Sequence, residues 1–208
     1  MRLTLNANKT EVIPLGSKCN FQGIHVDGSL VVPTNKVRSL GVILDDELTM
    51  EAHVMKVRAA AFSRLRLITR VRKSLRPNLC AFLVKSLVVS NALYCASLLT
   101  CVGATLLGKL QQIINSSIRL THGMKKSTNI DTIARSEGWL PMEMIIKLRL
   151  LSLFFTVLKY GKALFLHTLI AQYHQQRQLR SQEQQLLNVP RVNLTSMDQN
   201  YGILYHYP

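Results

Sequence analysis

Apolar residues change their spacing near residue 46, and that change divides the chain. Before it, Lys9 to Leu15, Gly28 to Pro33 and Val37 to Leu44 read as short strands separated by turn-rich sequence containing Gly16, Gly23 and Gly28. Gly41 falls inside the third strand, where it marks a bulge or a close approach by another backbone or a ligand. After Asp45-Asp46 the period becomes helical. Met50, Val54, Val57, Ala61, Leu65, Ile68 and Leu75 recur at three- and four-residue steps and form one stripe. Lys56, Arg66, Arg70 and Lys73 fall on the opposite face. Thr49 is the expected N-cap and Pro77 the expected stop. Further helices are expected over 79–99, 104–120, 130–137 and 142–160, punctuated by Gly123 and Gly138, with a Gln- and Arg-rich tail over 172–185. The expected fold class is α+β, mostly α: a small antiparallel β portion followed by a helical bundle.

One stretch admits a second reading. From Ser86 to Gly108 there is no charged side chain, which is long enough for a membrane span. Ser86, Ser90, Asn91, Ser97, Thr100 and Thr105 are spread along it. A buried helical pair broken near Val102-Gly103 fits those polar positions better, and no membrane partner is expected.

Charge sharpens the picture. In 208 residues, 26 Lys and Arg stand against 11 Asp and Glu, a formal charge of +15. Such a surplus favours a polyanionic partner. Its distribution says more than its total. Between Ala52 and Ile130 there are thirteen Lys or Arg and no acid, and nine of the thirteen lie between Lys56 and Lys85. Solvated faces usually mix both signs. A helix apolar on one side and basic on the other is built to pack inward and present cations to phosphates.

Catalytic and metal signatures are missing. The four cysteines, Cys19, Cys80, Cys95 and Cys101, form no C-x-x-C pair and have no histidine at a zinc-like spacing. Asp45-Asp46-Glu47 precedes a helix start, where acids commonly answer the helix dipole rather than a metal. The chain has no phosphate-binding glycine loop and no nucleophile elbow. Its first residues carry no secretory signal, so an intracellular location, nucleus or cytoplasm, is expected. Trp139, the only tryptophan, is expected to anchor packing at a helix turn.

Several segments in series resemble a known family. These are Leu5-Asn6-Ala7-Asn8-Lys9-Thr10-Glu11-Val12 with Leu15-Gly16, then Val37-Arg38-Ser39-Leu40-Gly41-Val42-Ile43-Leu44-Asp45. They continue through Leu93-Tyr94-Cys95-Ala96-Ser97-Leu98-Leu99, Leu110-Gln111-Gln112-Ile113-Ile114-Asn115, Gly138-Trp139-Leu140-Pro141-Met142, Arg180-Ser181 and Val189-Pro190-Arg191. In order and spacing they resemble the late palm motifs, thumb and C-terminal extension of reverse transcriptases from jockey-like non-LTR retrotransposons.

The resemblance implies a fragment of an RNA-directed DNA polymerase. It implies a partial palm over 1–46, a basic helical thumb over 47–125 and a C-terminal extension over 126–208. Lys9 matches a lysine that donates a proton to departing pyrophosphate. Leu40, Gly41 and Val42 match the hairpin that holds the primer terminus. Lys56, Arg66, Arg70 and Lys73 fall where the thumb grips a template–primer, either an RNA–DNA hybrid or duplex DNA. The aspartates that hold two magnesium ions in the complete enzyme precede Lys9 in this family and have no counterpart here. No metal site or cofactor is therefore expected in this chain, and the missing palm and fingers are implied partners. An alternative of the same origin is a relic that does not fold stably.

Overall fold

The structure is a computed structural model and describes residues 6–16, 22–161, 166 and 203–205. The chain forms two compact units, 1–147 with 199–208, and 148–198. In the first unit, small antiparallel two-stranded sheets near the N-terminus are followed by a helical bundle.

The β portion is built from hairpins. Strands β2 (Ile24–Val26) and β3 (Ser29–Val31) pair across Asp27-Gly28, whose φ angles of 49° and 77° suit a two-residue turn. The expected strand over 37–44 is instead two strands, β4 (Lys36–Ser39) and β5 (Val42–Asp45), paired from Lys36–Asp45 to Ser39–Val42. Gly41 is not a bulge within a strand. With Leu40 it forms the turn, at φ 47° and 88°. Nor is Lys9 in a strand: it closes a 3-10 turn, Ala7–Lys9, and β1 runs only over Glu11–Ile13. β1 pairs with β6 (Ile203–Tyr205).

Helix α1 (Glu51–Val71) carries the expected apolar stripe inward, with Met50, Val54, Ala61, Leu65 and Ile68 all buried. Its N-cap is Met50 rather than Thr49, and the cause is Asp45. That buried carboxylate accepts from the Thr49 amide and from Thr49 Oγ1, the latter at 2.9 Å. The clamp folds the chain back tightly enough to put Leu48 and Met50 at φ 54° and 62°. Thr49 Oγ1 still accepts the Glu51 amide at 3.3 Å, so Thr49 acts from one position outside the cap.

Pro77 does not terminate α1; it opens α2 (Pro77–Val84), where its missing N–H costs nothing. Residue Arg76 before it is extended, as proline demands. The expected helix over 79–99 is broken. After α2 come a π turn (Lys85–Val89), the short α3 (Ser90–Ala92), a reversal with Cys95 at φ 52°, and a 3-10 segment (Ala96–Cys101). Ser86 to Gly108 is therefore no single span, and no helix among the described residues is long and apolar enough to cross a membrane. The expected break at Val102-Gly103 is present, with Gly103 capping α4 (Ala104–His122). Then follow α5 (Asp131–Ser136) and α6 (Met142–Tyr160). The expected helical or coiled tail over 172–185 lies outside the described residues, as does Cys19.

A continuous core joins these elements. Val42 and Met50, the inner face of α1, Cys80, Val84 and Val88, Leu110, Ile113, Ile114 and Ile118 of α4, and Met142 form one buried cluster. Beside it, His53 is buried and its Nδ1 accepts the Ile43 amide at 3.4 Å, tying α1 to β5. Burial and the nearby Lys56 ammonium lower its pKa below the ordinary 6.5. The unfolded chain therefore takes up this proton first, so His53 adds its full share of stability above pH 6.5 and loses it as pH falls below. Thermal melts at pH 7.5 and 5.5 are expected to show a lower midpoint in acid, and His53→Gln to flatten that part of the difference. A pH difference that His53→Gln leaves unchanged would mean the imidazole is not held neutral.

Candidate nucleic-acid interface

Helical geometry decides which cations on α1 are available. At about 100° per residue, Lys56, Arg66 and Arg70 fall within an arc of roughly 80° opposite the buried stripe, and Lys73 follows in the 3-10 turn Arg72–Ser74 that continues α1. All four side chains are exposed. Lys56 and Arg70 stand about 21 Å apart along the axis at 1.5 Å per residue. Among the described residues none of the four has an acidic partner. The ion pairs His122–Glu137 and Lys147–Glu143 lie elsewhere. The face is therefore cationic and has no counter-charge from the described residues.

Other basic side chains of the same segment serve the fold. Arg72 donates from Nε to the Leu120 carbonyl at 3.0 Å and from Nη2 to that of Thr121 at 2.9 Å, capping the end of α4. Arg64 donates to the Leu87 carbonyl at 3.0 Å, beside the π turn. Arg58 reaches Gln112 Oε1 at 3.1 Å and lies over the Phe62 ring. Arg119 donates to the Thr128 carbonyl at 3.3 Å. Thus the basic segment divides in two: Arg58, Arg64, Arg72 and Arg119 are latches, and Lys56, Arg66, Arg70 and Lys73 make no such bond among the described residues.

A second cluster gathers residues far apart in sequence. Lys9, Glu11, Arg38 and Gly41 line one open recess of about 500 Å3. Glu11 Oε2 accepts the Arg38 amide at 3.3 Å, joining β1 to the β4–β5 hairpin. At the hairpin tip Leu40 holds a left-handed backbone, which costs a leucine about 1–2 kcal/mol, and its side chain is 76% exposed. The Tyr94 hydroxyl donates to the Leu40 carbonyl at 2.9 Å. The structure thus brings Lys9 and the turn residues Leu40 and Gly41 to one place. Val42 differs from them: its side chain is buried in the core, so it anchors the hairpin from within.

The acids here do not suit magnesium. Both Asp45 oxygens accept from Thr49 in a buried position, so the carboxylate is a loop clasp. Among the described residues no three His, Cys, Asp or Glu side chains converge as metal ligands do.

Sequence reasoning missed several positioning residues. Tyr94 is one, since nothing in its local pattern announces a partner 54 positions away. Gln111 is another: its Oε1 accepts the Met142 amide at 2.7 Å and so starts α6. Glu137 accepts from the Trp139 indole and from His122, both at 3.1 Å, while Lys85 lies over the Trp139 ring. The indole hydrogen bond, more than the histidine, holds the Glu137 carboxyl below its ordinary range. Trp139 packs against the core, as expected of a turn anchor. Comparison of the chain with family models, curated proteins and solved structures finds no match.

Proposed function

We propose that the chain is the C-terminal portion of a retrotransposon RNA-directed DNA polymerase, keeping elements that bind template and primer but not the catalytic aspartates. The observation that carries this reading is the outer face of α1 and the 3-10 turn that follows it, where Lys56, Arg66, Arg70 and Lys73 stand exposed with no acidic partner among the described residues. The ordered series of family-like segments supports it, because Lys9 and the Leu40-Gly41 turn, 32 positions apart, line or adjoin one recess. On this reading the α1 stripe grips the duplex backbone, the hairpin meets the primer end, and Lys9 faces the phosphates of an incoming nucleotide. The palm and fingers that would supply the magnesium ligands are partners in the whole enzyme, not parts of this chain.

The continuous core from Val42 to Met142 favours a folded module over a relic that fails to fold. The direct test is an anisotropy titration of a labelled template–primer with the intact chain at low salt. Saturable binding to an RNA–DNA hybrid or to duplex DNA is expected, with no primer extension when magnesium and nucleotides are added. Absence of binding at low salt overturns the reading, and extension by the chain alone overturns the placement of the catalytic acids.

A further inference from the structure

We propose that the outward face of α6 docks an amphipathic helix with acidic flanks, supplied by another protein. The inference is independent of the template–primer reading above. Along α6, Met144, Leu148, Leu151, Phe155 and Leu158 follow steps of four, three, four and three, the seven-residue repeat of a helix seam. All five are exposed, from 38% at Leu158 to 63% at Leu151. At about 100° per residue they share an arc of roughly 80°. Met142 and Ile146 point the other way, into the core cluster. The first turns of α6 thus face the core with one side and offer a second apolar side outward.

The spacing selects the kind of occupant. A narrow apolar stripe that recurs every 3.5 residues is matched by the ridge of one other helix, whereas a lipid surface takes a wider apolar face. Gly161 ends the helix at φ 58°, its amide bonded to the Val157 carbonyl at 3.1 Å. The seam is therefore about two heptads long, enough for one short helix.

Charge at the borders selects its sign. Lys147 and Lys159 flank the stripe, one on each side, each roughly 20° outside its edge. The Lys159 ammonium lies 5.2 Å from the centre of the Phe155 ring, which keeps its charge beside the seam. Glu143, the one acid in α6, engages Lys147 at 2.6 Å and lies further round the helix. Flanking charges set partner choice between paired helices, so cationic borders favour Glu or Asp opposite and disfavour Lys or Arg. A second copy of this chain would bring the same lysines and a further formal charge of +15. The complement is a different helix, apolar along its seam and acidic beside it.

The test titrates the intact chain with three labelled synthetic heptad peptides. The first carries leucine along its seam and glutamate at its flanks, the second leucine and lysine, the third serine and glutamate. At physiological salt the first is expected to bind about tenfold tighter than the second, and the third not to bind measurably. Leu151→Ser, at the middle of the face, is expected to weaken the first by about tenfold. Its melting temperature is expected to stay the same, because Leu151 is exposed. Lys147→Glu combined with Lys159→Glu is expected to make the second peptide the tighter binder. Equal binding of the first and third peptides, or a first peptide indifferent to Leu151→Ser, overturns the proposal. So does a concentration-dependent dimer of the chain, or attachment to anionic vesicles, that Leu151→Ser abolishes while the first peptide fails to bind.

Discussion

Replacing Lys56, Arg66, Arg70 and Lys73 together by glutamate is expected to weaken duplex binding by about a hundredfold or more at physiological salt. Three of the side chains share the outer face of α1 and Lys73 follows in the adjoining 3-10 turn; among the described residues none contacts an acid, so no compensating bond is lost there. Stability is expected to change little, since exposed substitutions away from caps and networks usually stay within about 0.5 kcal/mol each. Arg72→Gln supplies the opposite result from a neighbouring position. Its guanidinium caps α4 through Leu120 and Thr121, so the substitution is expected to cost roughly 1.5–3 kcal/mol of stability. Binding by the folded fraction is expected to be unchanged. If the quadruple variant binds as the parent does, the outer face of α1 is only a solvated face. If Arg72→Gln acts like the others, the division between latches and phosphate contacts is wrong.

Leu110→Ala is expected to destabilise the bundle by about 2–5 kcal/mol. Leu110 is fully buried on α4, among Ile113, Ile114 and Ile118, and α4 packs along α1. Truncation removes apolar contact and leaves a cavity that two packed helices close poorly. Against a total stability of about 5–15 kcal/mol for a domain, that loss is large. Leu110→Met keeps the volume and is expected to cost less than about 1.5 kcal/mol. Urea titrations followed by circular dichroism measure both. A Leu110→Ala loss below about 1 kcal/mol would contradict tight α1–α4 packing. The segment from Leu110 to Asn115 is architectural on this account: its leucine and isoleucines fill the core, Gln112 receives Arg58 and Gln111 starts α6.

Periodicity made α1 legible, because one face of a long helix must be apolar wherever it packs, and the buried residues follow the stripe from Met50 to Ile68. The same reasoning marks α4 and α6, which end near a glycine or start near a proline. The region 79–99 was opaque for a physical reason. Its apolar letters continue without a breaker, while the π turn and the left-handed Cys95 are imposed by packing against α1 and α4 rather than by any local residue. Turn chemistry divides the two hairpins in the same way. Asp27-Gly28 carries a turn signature, and Gly28 stands in sequence expected to be turn-rich, but Leu40-Gly41 does not, because leucine is the wrong residue for φ 47°.

For the site, helix phase in the sequence puts Lys56, Arg66, Arg70 and Lys73 opposite the apolar stripe, and all four are exposed, whereas the carbonyl partners of Arg64 and Arg72 follow only from the tertiary fold. Long-range partners such as Tyr94 with Leu40, or Glu11 with Arg38, leave no local trace. Burial of Val42 and the engagement of Asp45 by Thr49 likewise follow from the tertiary fold.

Duplex affinity of the intact chain, measured from 50 to 200 mM salt beside the variant with Lys56, Arg66, Arg70 and Lys73 changed to glutamine, tests the central claim most directly. Each phosphate contact contributes roughly 0.9 to the slope of log affinity against log salt, so the parent is expected to fall steeply and the variant's slope to be shallower by about 3.6. Parallel slopes, or a parent affinity indifferent to salt, would contradict it.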